Sequence, residues 1–214
     1  MKLIHKFKSP NFNERKSNKI NLIIIHYTAL KSISESIKFL CDKKNNVSSH
    51  YVISKSGNIY NLVSEKKRAW HAGQSNWKGK IDINSSSIGI ELDYSANNIN
   101  LKYPKRQIFS LIQLLKILIK KYNIDNKNIL GHSDIAPYRK IDPGPKFPWH
   151  KLSDLNISIL PKKITKKELM IIESLLERRL LKTIAQKSLY MLSEIGFDIS
   201  KAEKSNKNFI LLIK

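Results

Sequence analysis

The chain has 214 residues, 41% of them hydrophobic and 26% charged, a globular composition with enough length to bury a core without metal or disulfide staples. Lys and Arg total 39 against 17 acids, giving a formal net charge of +22 and a pI near 10.0. The single cysteine, Cys41, excludes a disulfide framework and any metal site built on several thiolates; no run approaches the ~20 apolar residues a membrane-spanning helix needs.

So basic a chain invites a nucleic-acid reading, but the charge comprises 33 Lys and only 6 Arg, and Ile (32) and Asn (19) are inflated with it. An AT-rich coding sequence produces that joint excess. The lysines are scattered, and no basic helix with interleaved aromatics is present, so no nucleic-acid partner is expected. Summed positive charge would still draw an anionic polymer towards the surface.

In chain order, Met1 to Lys19 has charges but no apolar core, so it does not read as a secretory signal. Leu22 to Ile25 is a β-branched run of strand length ending at His26. Ser32 and Glu35 form a capping-box pattern, behind which Ile33, Ile37, Leu40 and Cys41 share one helical face. Two short strands follow, His50 to Ser54 and Asn58 to Val63, with Ser56-Gly57-Asn58 as the turn. Trp70 to Ser87 reads as a long polar loop and Ile88 to Leu92 as a strand. The strongest helix starts at Pro104, with Ile108, Leu111, Ile112, Leu115, Leu118, Ile119 and Tyr122 as its core stripe. Ile129-Leu130 is a short strand running into Gly131-His132, followed by a proline-rich loop from Pro137 to Pro148. Composition shifts near residue 157. Pro161-Lys162-Lys163 reads as a linker, Thr165 to about Lys182 and Ile184 to Ile195 as helices, the second stopping at Gly196. The chain closes on the apolar run Phe209 to Ile213.

Two of the six histidines, His26 and His132, stand where a strand exits into a loop, and Asp142 follows ten positions after His132. Two neutral imidazoles and one carboxylate suit a catalytic zinc with an open fourth position. The same donors could hold ferrous iron, but the carboxylate of those sites usually lies two residues after the first histidine, where this chain has Thr28. Spacing alone matches no short metal motif, and each histidine could equally be a satisfied polar group near a strand end.

Taken together the blocks are recognisable. Ile24-Ile25-His26-Tyr27-Thr28-Ala29, Ser48-Ser49-His50-Tyr51, Ala69-Trp70-His71-Ala72-Gly73, Ser87-Ile88-Gly89-Ile90-Glu91, Gly131-His132-Ser133-Asp134 and Arg139-Lys140-Ile141-Asp142-Pro143-Gly144 occur in that order. From about Leu22 to Leu152 they resemble the type 2 family of zinc-dependent N-acetylmuramoyl-L-alanine amidases, which includes the peptidoglycan-recognition proteins. The proline-rich block resembles most the bacterial branch that accepts anhydro-muropeptides and intact peptidoglycan.

The resemblance implies an α/β domain over residues 1–160, with a mixed central sheet flanked by helices and one Zn2+ per chain at a sheet edge. It implies His26, His132 and Asp142 as metal ligands, Glu91 as catalytic acid–base and Lys140 as stabiliser of the oxyanion. His71 and Trp77 are expected to line the substrate groove; His50 reads as packing and Asp134 as a turn residue. The implied reaction is hydrolysis of the amide between N-acetylmuramic acid, or its 1,6-anhydro form, and L-alanine of the stem peptide, with peptidoglycan fragments as partners and the chain a monomer. The rival is a non-catalytic peptidoglycan-recognition module. Residues 161–214 are expected to form a helical segment, either a truncated peptidoglycan-binding domain, part of which Leu192 to Phe197 resembles, or a helical extension packing on the amidase domain. The leaderless start points to the cytoplasm; an envelope substrate points to the cell envelope or to export by a non-standard route.

Overall fold

The computed structural model describes residues 2–17, 19–95, 102–160 and 183–205, with the single positions 165, 166, 170, 174, 207, 208 and 212. Its strands are β1 (Lys2–Ile4), β2 (Phe12–Glu14), β3 (Leu22–Tyr27), β4 (Tyr51–Ile53), β5 (Asn58–Asn61), β6 (Lys67–Ala69), β7 (Ser87–Leu92) and β8 (Ile129–Gly131). Its helices are α1 (Ile33–Cys41), α2 (Ile83–Ser86), α3 (Lys105–Tyr122), α4 (His132–Ile135), α5 (Trp149–Ser153) and, near the C-terminus, α6 (Ile184–Ile195). Six strands form one sheet in the order β1-β5-β4-β7-β3-β8, and β2 pairs with β6 apart from it. Within the large sheet only β4 and β5 run antiparallel, so the architecture is mixed α/β.

The two faces of β3 and β7 bury different partners. Ile23 and Ile25 lie with Ile88, Ile90 and Leu92 in the main core, which α3 covers with Ile108, Leu111, Leu114, Leu115 and Leu118. The expected stripe is therefore the buried one, widened by Leu114, with Ile112, Ile119 and Tyr122 at its margins. Pro104 caps α3 from just outside, and Asn123, at φ 51°, ends it in the left-handed region. Leu22, Ile24 and Leu130 face the opposite way and pack with Ala72, Trp77, Ile83 and Ile135. Strands buried on both faces read as continuous apolar runs, which is why Leu22 to Ile25 shows no alternation.

The loop expected from Trp70 to Ser87 holds more structure than its composition suggests, since α2 and a bridge between Trp77 and Lys80 interrupt it. Strands β1, β2 and β6 carry no apolar period that would mark them in the sequence. On the C-terminal side, α6 opens with a reciprocal capping box between Thr183 and Gln186 and stops at Gly196, φ 128°. The helix expected from Thr165, the linker at Pro161 and the terminal run Phe209 to Ile213 lie largely outside the described residues. The segment after α6 docks on the first 160 residues. The amide of Lys78 donates to Gly196 O at 2.9 Å, the Tyr138 hydroxyl donates to Asp198 O, and the Phe197 ring meets Trp77 edge-on at 5.2 Å. Phe197→Ala should cost about 2 kcal/mol in urea denaturation, below the range of a fully buried phenylalanine because the ring is only partly covered; an unchanged midpoint would show that the docking contributes nothing.

Away from the ends of β3, β7 and β8, Glu65 ties several elements together. It accepts from the hydroxyls of Tyr51 and Tyr122 and from Lys121 Nζ at 2.6 Å, while its backbone oxygen takes Arg15 Nε at 2.9 Å. Burial pushes its carboxyl up, but the three side-chain donors outweigh that and hold it below the usual carboxylate range. A depressed acid stabilises the fold above its unfolded pKa, and that stabilisation is lost as pH falls through the folded value. Glu65→Gln should cost about 1–3 kcal/mol at pH 7, with the gap from the parent protein narrowing below pH ~4. Equal stabilities at pH 7 would contradict this.

Candidate metal centre

The parallel register sets the site. Ile25 of β3 is level with Ile90 of β7 and Gly131 of β8. One residue further, His26 pairs with Glu91, and His132 opens α4 directly after β8. Three neighbouring parallel strands thus deliver two imidazoles and a carboxylate at their C-terminal ends, where open α/β sheets bind ligands. His26 extends the face of Leu22 and Ile24, so its ring leaves the side covered by α3.

Asp142 comes from the proline-rich loop, anchored by the Ser133 amide donating to Asp142 O at 2.9 Å. Pro143 lies against Gly131, where a Cβ would stand 2.7 Å from Pro143 Cδ; glycine before His132 is thus what lets the loop approach. Asp134 caps the same turn, its Oδ2 accepting from the Gly131 amide at 2.7 Å. It lies in the first turn of α4, where a loop turn was expected, and burial pushes its carboxyl up to about 6.

The three side chains converge. His26 Nδ1 lies 2.9 Å from His132 Nδ1, and each lies 3.1 Å from Asp142 Oδ2. His26, His132 and Asp142 are 1%, 3% and 7% exposed. Among the described residues they are the group with ligand atoms close enough to share a metal ion. A tetrahedral zinc with bonds of about 2.0–2.1 Å needs ligand atoms about 3.3 Å apart, near the separations found. His132 Nε2 sits 3.0 Å from Ala72 O, which can only accept. The ring proton of neutral His132 is therefore on Nε2, and its Nδ1 lone pair faces the site.

Electrostatics agree with a cation site. Burial, then the neighbouring His132, lowers His26 to about 4, so it is neutral at pH 7 as a metal ligand must be. Burial works to raise Asp142, but the two imidazoles that face its Oδ2 outweigh that and hold the carboxyl well below the usual range. Burial, reinforced by the charge of Asp142, pushes Glu91 up to about 8. Its Oε2 is buried without a hydrogen-bond partner, an unsatisfied acceptor of the kind found at functional sites. The positive charge of Lys140 acts on both Glu91 and His26.

These residues line a cleft of about 330 Å³ whose walls include Phe39, Trp70, Arg139 and Ile141. Phe39 and Ile141 are exposed, at 43% and 62%, so the rim offers apolar surface above a charged floor. Arg139 is tied to Ala72 O and Gln74 O. Of the other sequence candidates, one lies at this cleft and the rest lie elsewhere. His71 reaches the cleft but is buried against His26, with His26 Nε2 3.1 Å from His71 Nδ1. Trp77, 4% exposed, belongs to the packed cluster met by Phe197 and lies outside the cleft lining. His50 is fully buried and accepts from the Gly89 amide at 3.0 Å, a packing role. Two further residues, Asn84 and Ser87, support the site. Asn84 Oδ1 holds the amides of His71 and Ala72, and Ser87 Oγ lies 3.1 Å from His71 Nε2. The signal was the alternation Ser87, Gly89, Glu91, which places all three on the His26 face of β7.

Residues 16–145 match the family profile of N-acetylmuramoyl-L-alanine amidase. The amidase AmiD of Escherichia coli is 40% identical over 156 residues, covering 67% of this chain and 55% of AmiD. The 1,6-anhydro-N-acetylmuramyl-L-alanine amidase AmpD of Haemophilus influenzae is 35% identical over 163 residues, covering 67% of this chain and 87% of AmpD. Among solved structures, AmiD of E. coli in complex with the substrate anhydro-N-acetylmuramic acid-L-Ala-D-gamma-Glu-L-Lys superposes with a TM-score of 0.69 at 32% identity, covering 90% of this chain and 82% of that one. AmpDH3 of Pseudomonas aeruginosa gives 0.70 at 34% identity, over 84% and 74%. The register of β3, β7 and β8, the chemistry gathered at their ends and these relatives agree: the chain belongs to the N-acetylmuramoyl-L-alanine amidase family, Amidase_2.

Proposed function

We propose that this chain is a zinc-dependent amidase that hydrolyses the bond between N-acetylmuramic acid, intact or in the 1,6-anhydro form, and L-alanine of the peptidoglycan stem peptide. The observation that carries the reading is the convergence of His26 Nδ1, His132 Nδ1 and Asp142 Oδ2 in a cleft that also holds Glu91, its Oε2 unpartnered.

His26, His132 and Asp142 would hold the zinc ion. A bound zinc supplies positive charge that polarises a carbonyl and makes water more acidic. Glu91 takes the proton of the attacking water, and its desolvated surroundings, which favour the protonated form, let it hold that proton until it is given back. Attack on the amide carbonyl makes a tetrahedral oxyanion, and the Lys140 ammonium stabilises that charge, by about 3 kcal/mol on the scale of a single oxyanion donor. When the C–N bond breaks, Glu91 delivers the proton to the departing L-alanine nitrogen. The apolar rim of Phe39, Trp70 and Ile141 shields the reacting bond and contacts sugar or peptide. A recognition module would need the cleft but would have no use for an intact set of metal ligands or for a carboxylate oxygen buried without a partner, which favours catalysis over binding alone. Residues 1–160 are the catalytic domain on this reading, with the segment after 160 supporting it.

His26→Ala should lose both bound zinc, measured by atomic absorption, and release of stem peptide from anhydro-muropeptide. Retention of both would refute the ligand assignment. Glu91→Ala should keep one zinc per chain yet lose turnover by about 10²–10⁴. Near-normal rates would remove the proton-transfer role, and a zinc-loaded parent protein that frees no stem peptide would leave the recognition module as the better reading.

A further inference from the structure

Beneath His26 runs a buried chain of polar groups that the proposed chemistry does not use. His26 Nε2 lies 3.1 Å from His71 Nδ1, His71 Nε2 lies 3.1 Å from Ser87 Oγ, and Ser87 Oγ donates to Ile83 O at 2.7 Å. The direction of every bond follows from the last one. Ile83 O can only accept, so the Ser87 hydroxyl proton is committed to it, and Ser87 Oγ offers a lone pair to His71. His71 must then carry its proton on Nε2 and accept at Nδ1. His26 in turn must carry its proton on Nε2, which leaves a lone pair on Nδ1, the atom that faces His132 and Asp142.

The seat of His71 is built for this. A Cβ at Gly89 would stand 2.4 Å from His71 Cγ, so only glycine at that position of β7 lets the ring lie flat on the strand. Asn84 Oδ1 fixes the backbone on either side, accepting from the His71 and Ala72 amides at 3.1 and 2.8 Å. His71 is 8% exposed and Ser87 fully buried, so water is a poor substitute for either. Along β7, Ser87 orients His71, Gly89 makes room for it, and Glu91 points on towards the cleft.

We infer that His71 is a positioning residue: through Ser87 and Ile83 O it holds His26 in the Nε2–H tautomer and keeps the Nδ1 lone pair available to the metal. The inference rests on the proposed metal centre. The competing tautomer is real. Asp142 Oδ2, at 3.1 Å, would accept a proton carried on His26 Nδ1, and that arrangement blocks the ligand atom. His71 and Asp142 thus compete for which nitrogen of His26 is protonated, and a partner to the distal ring nitrogen is what fixes metal-ligand tautomers.

The test compares the parent protein with His71→Phe, which keeps a ring but no acceptor, His71→Asn, whose Oδ1 can replace Nδ1, and Ser87→Ala. Zinc affinity of the metal-free chains is measured by chelator competition, and the His26 tautomer by imidazole ¹⁵N NMR. The parent should show His26 protonated on Nε2. His71→Phe should bind zinc about 10–100-fold more weakly with His26 shifted to Nδ1–H, and His71→Asn should recover to within about threefold. Ser87→Ala, a small change that spares the fold, should weaken binding about 3–10-fold, and it decides the matter should His71→Phe prove unfolded by circular dichroism. Affinity unchanged in Ser87→Ala and His71→Phe, equal losses in His71→Phe and His71→Asn, or Nδ1–H in the parent would overturn the inference while the metal centre stands. A parent chain that binds no zinc would overturn both.

Discussion

Everything at the site depends on the in-register parallel pairing of β3 with β7 and β8. Because Ile25 is level with Ile90 and Gly131, the next residue of each chain segment is His26, Glu91 or His132. A slip of one residue would turn His26 to the face packed by α3 and bury an imidazole among Ile108, Leu111 and Leu115. Both faces of β3 are apolar, so its isoleucines alone would tolerate that slip; the cost of burying the His26 imidazole in the main core is what opposes it.

The rest of the molecule holds this arrangement from below and beside. Gly131 and Ser133 draw the Asp142 loop against the end of β8. Ala72 O orients His132, and the proposed His71–Ser87 chain does the same for His26. The backbone of residues 71 and 72 therefore serves both imidazoles, and Asn84 is the side chain that steadies it. The segment after α6 adds to the wall behind, through Phe197 on Trp77.

Much of this was legible in the residues. Leu22 to Ile25 and the α3 stripe announce themselves by apolar content and period, and His26 and His132 by standing at strand exits. Asp142 was within reach as the carboxylate ten positions after His132, whereas Glu91 and Lys140 came only with the family motifs, because they meet the others only through the fold. The features that escaped did so for physical reasons. Strands β1, β2 and β6 are three residues each, carry charges and lie at edges, so they leave no pattern. His71 and Trp77 sit in a loop of polar composition, where exposure to ligand was the natural expectation. Trp77 is buried by a phenylalanine distant in sequence, and His71 by a glycine whose reason for being there is the imidazole itself. Proximity of that kind is written in three dimensions, with only the Ser87, Gly89, Glu91 alternation as its trace in the sequence.

The central claim is that three lone pairs, on His26 Nδ1, His132 Nδ1 and Asp142 Oδ2, point at one place. Anomalous diffraction at the zinc edge from crystals of the zinc-loaded chain tests it most directly. The account predicts a single peak bonded to those three atoms at about 2.0–2.2 Å. A peak ligated through Nε2 of either ring, or one that leaves Asp142 uncoordinated, would contradict it.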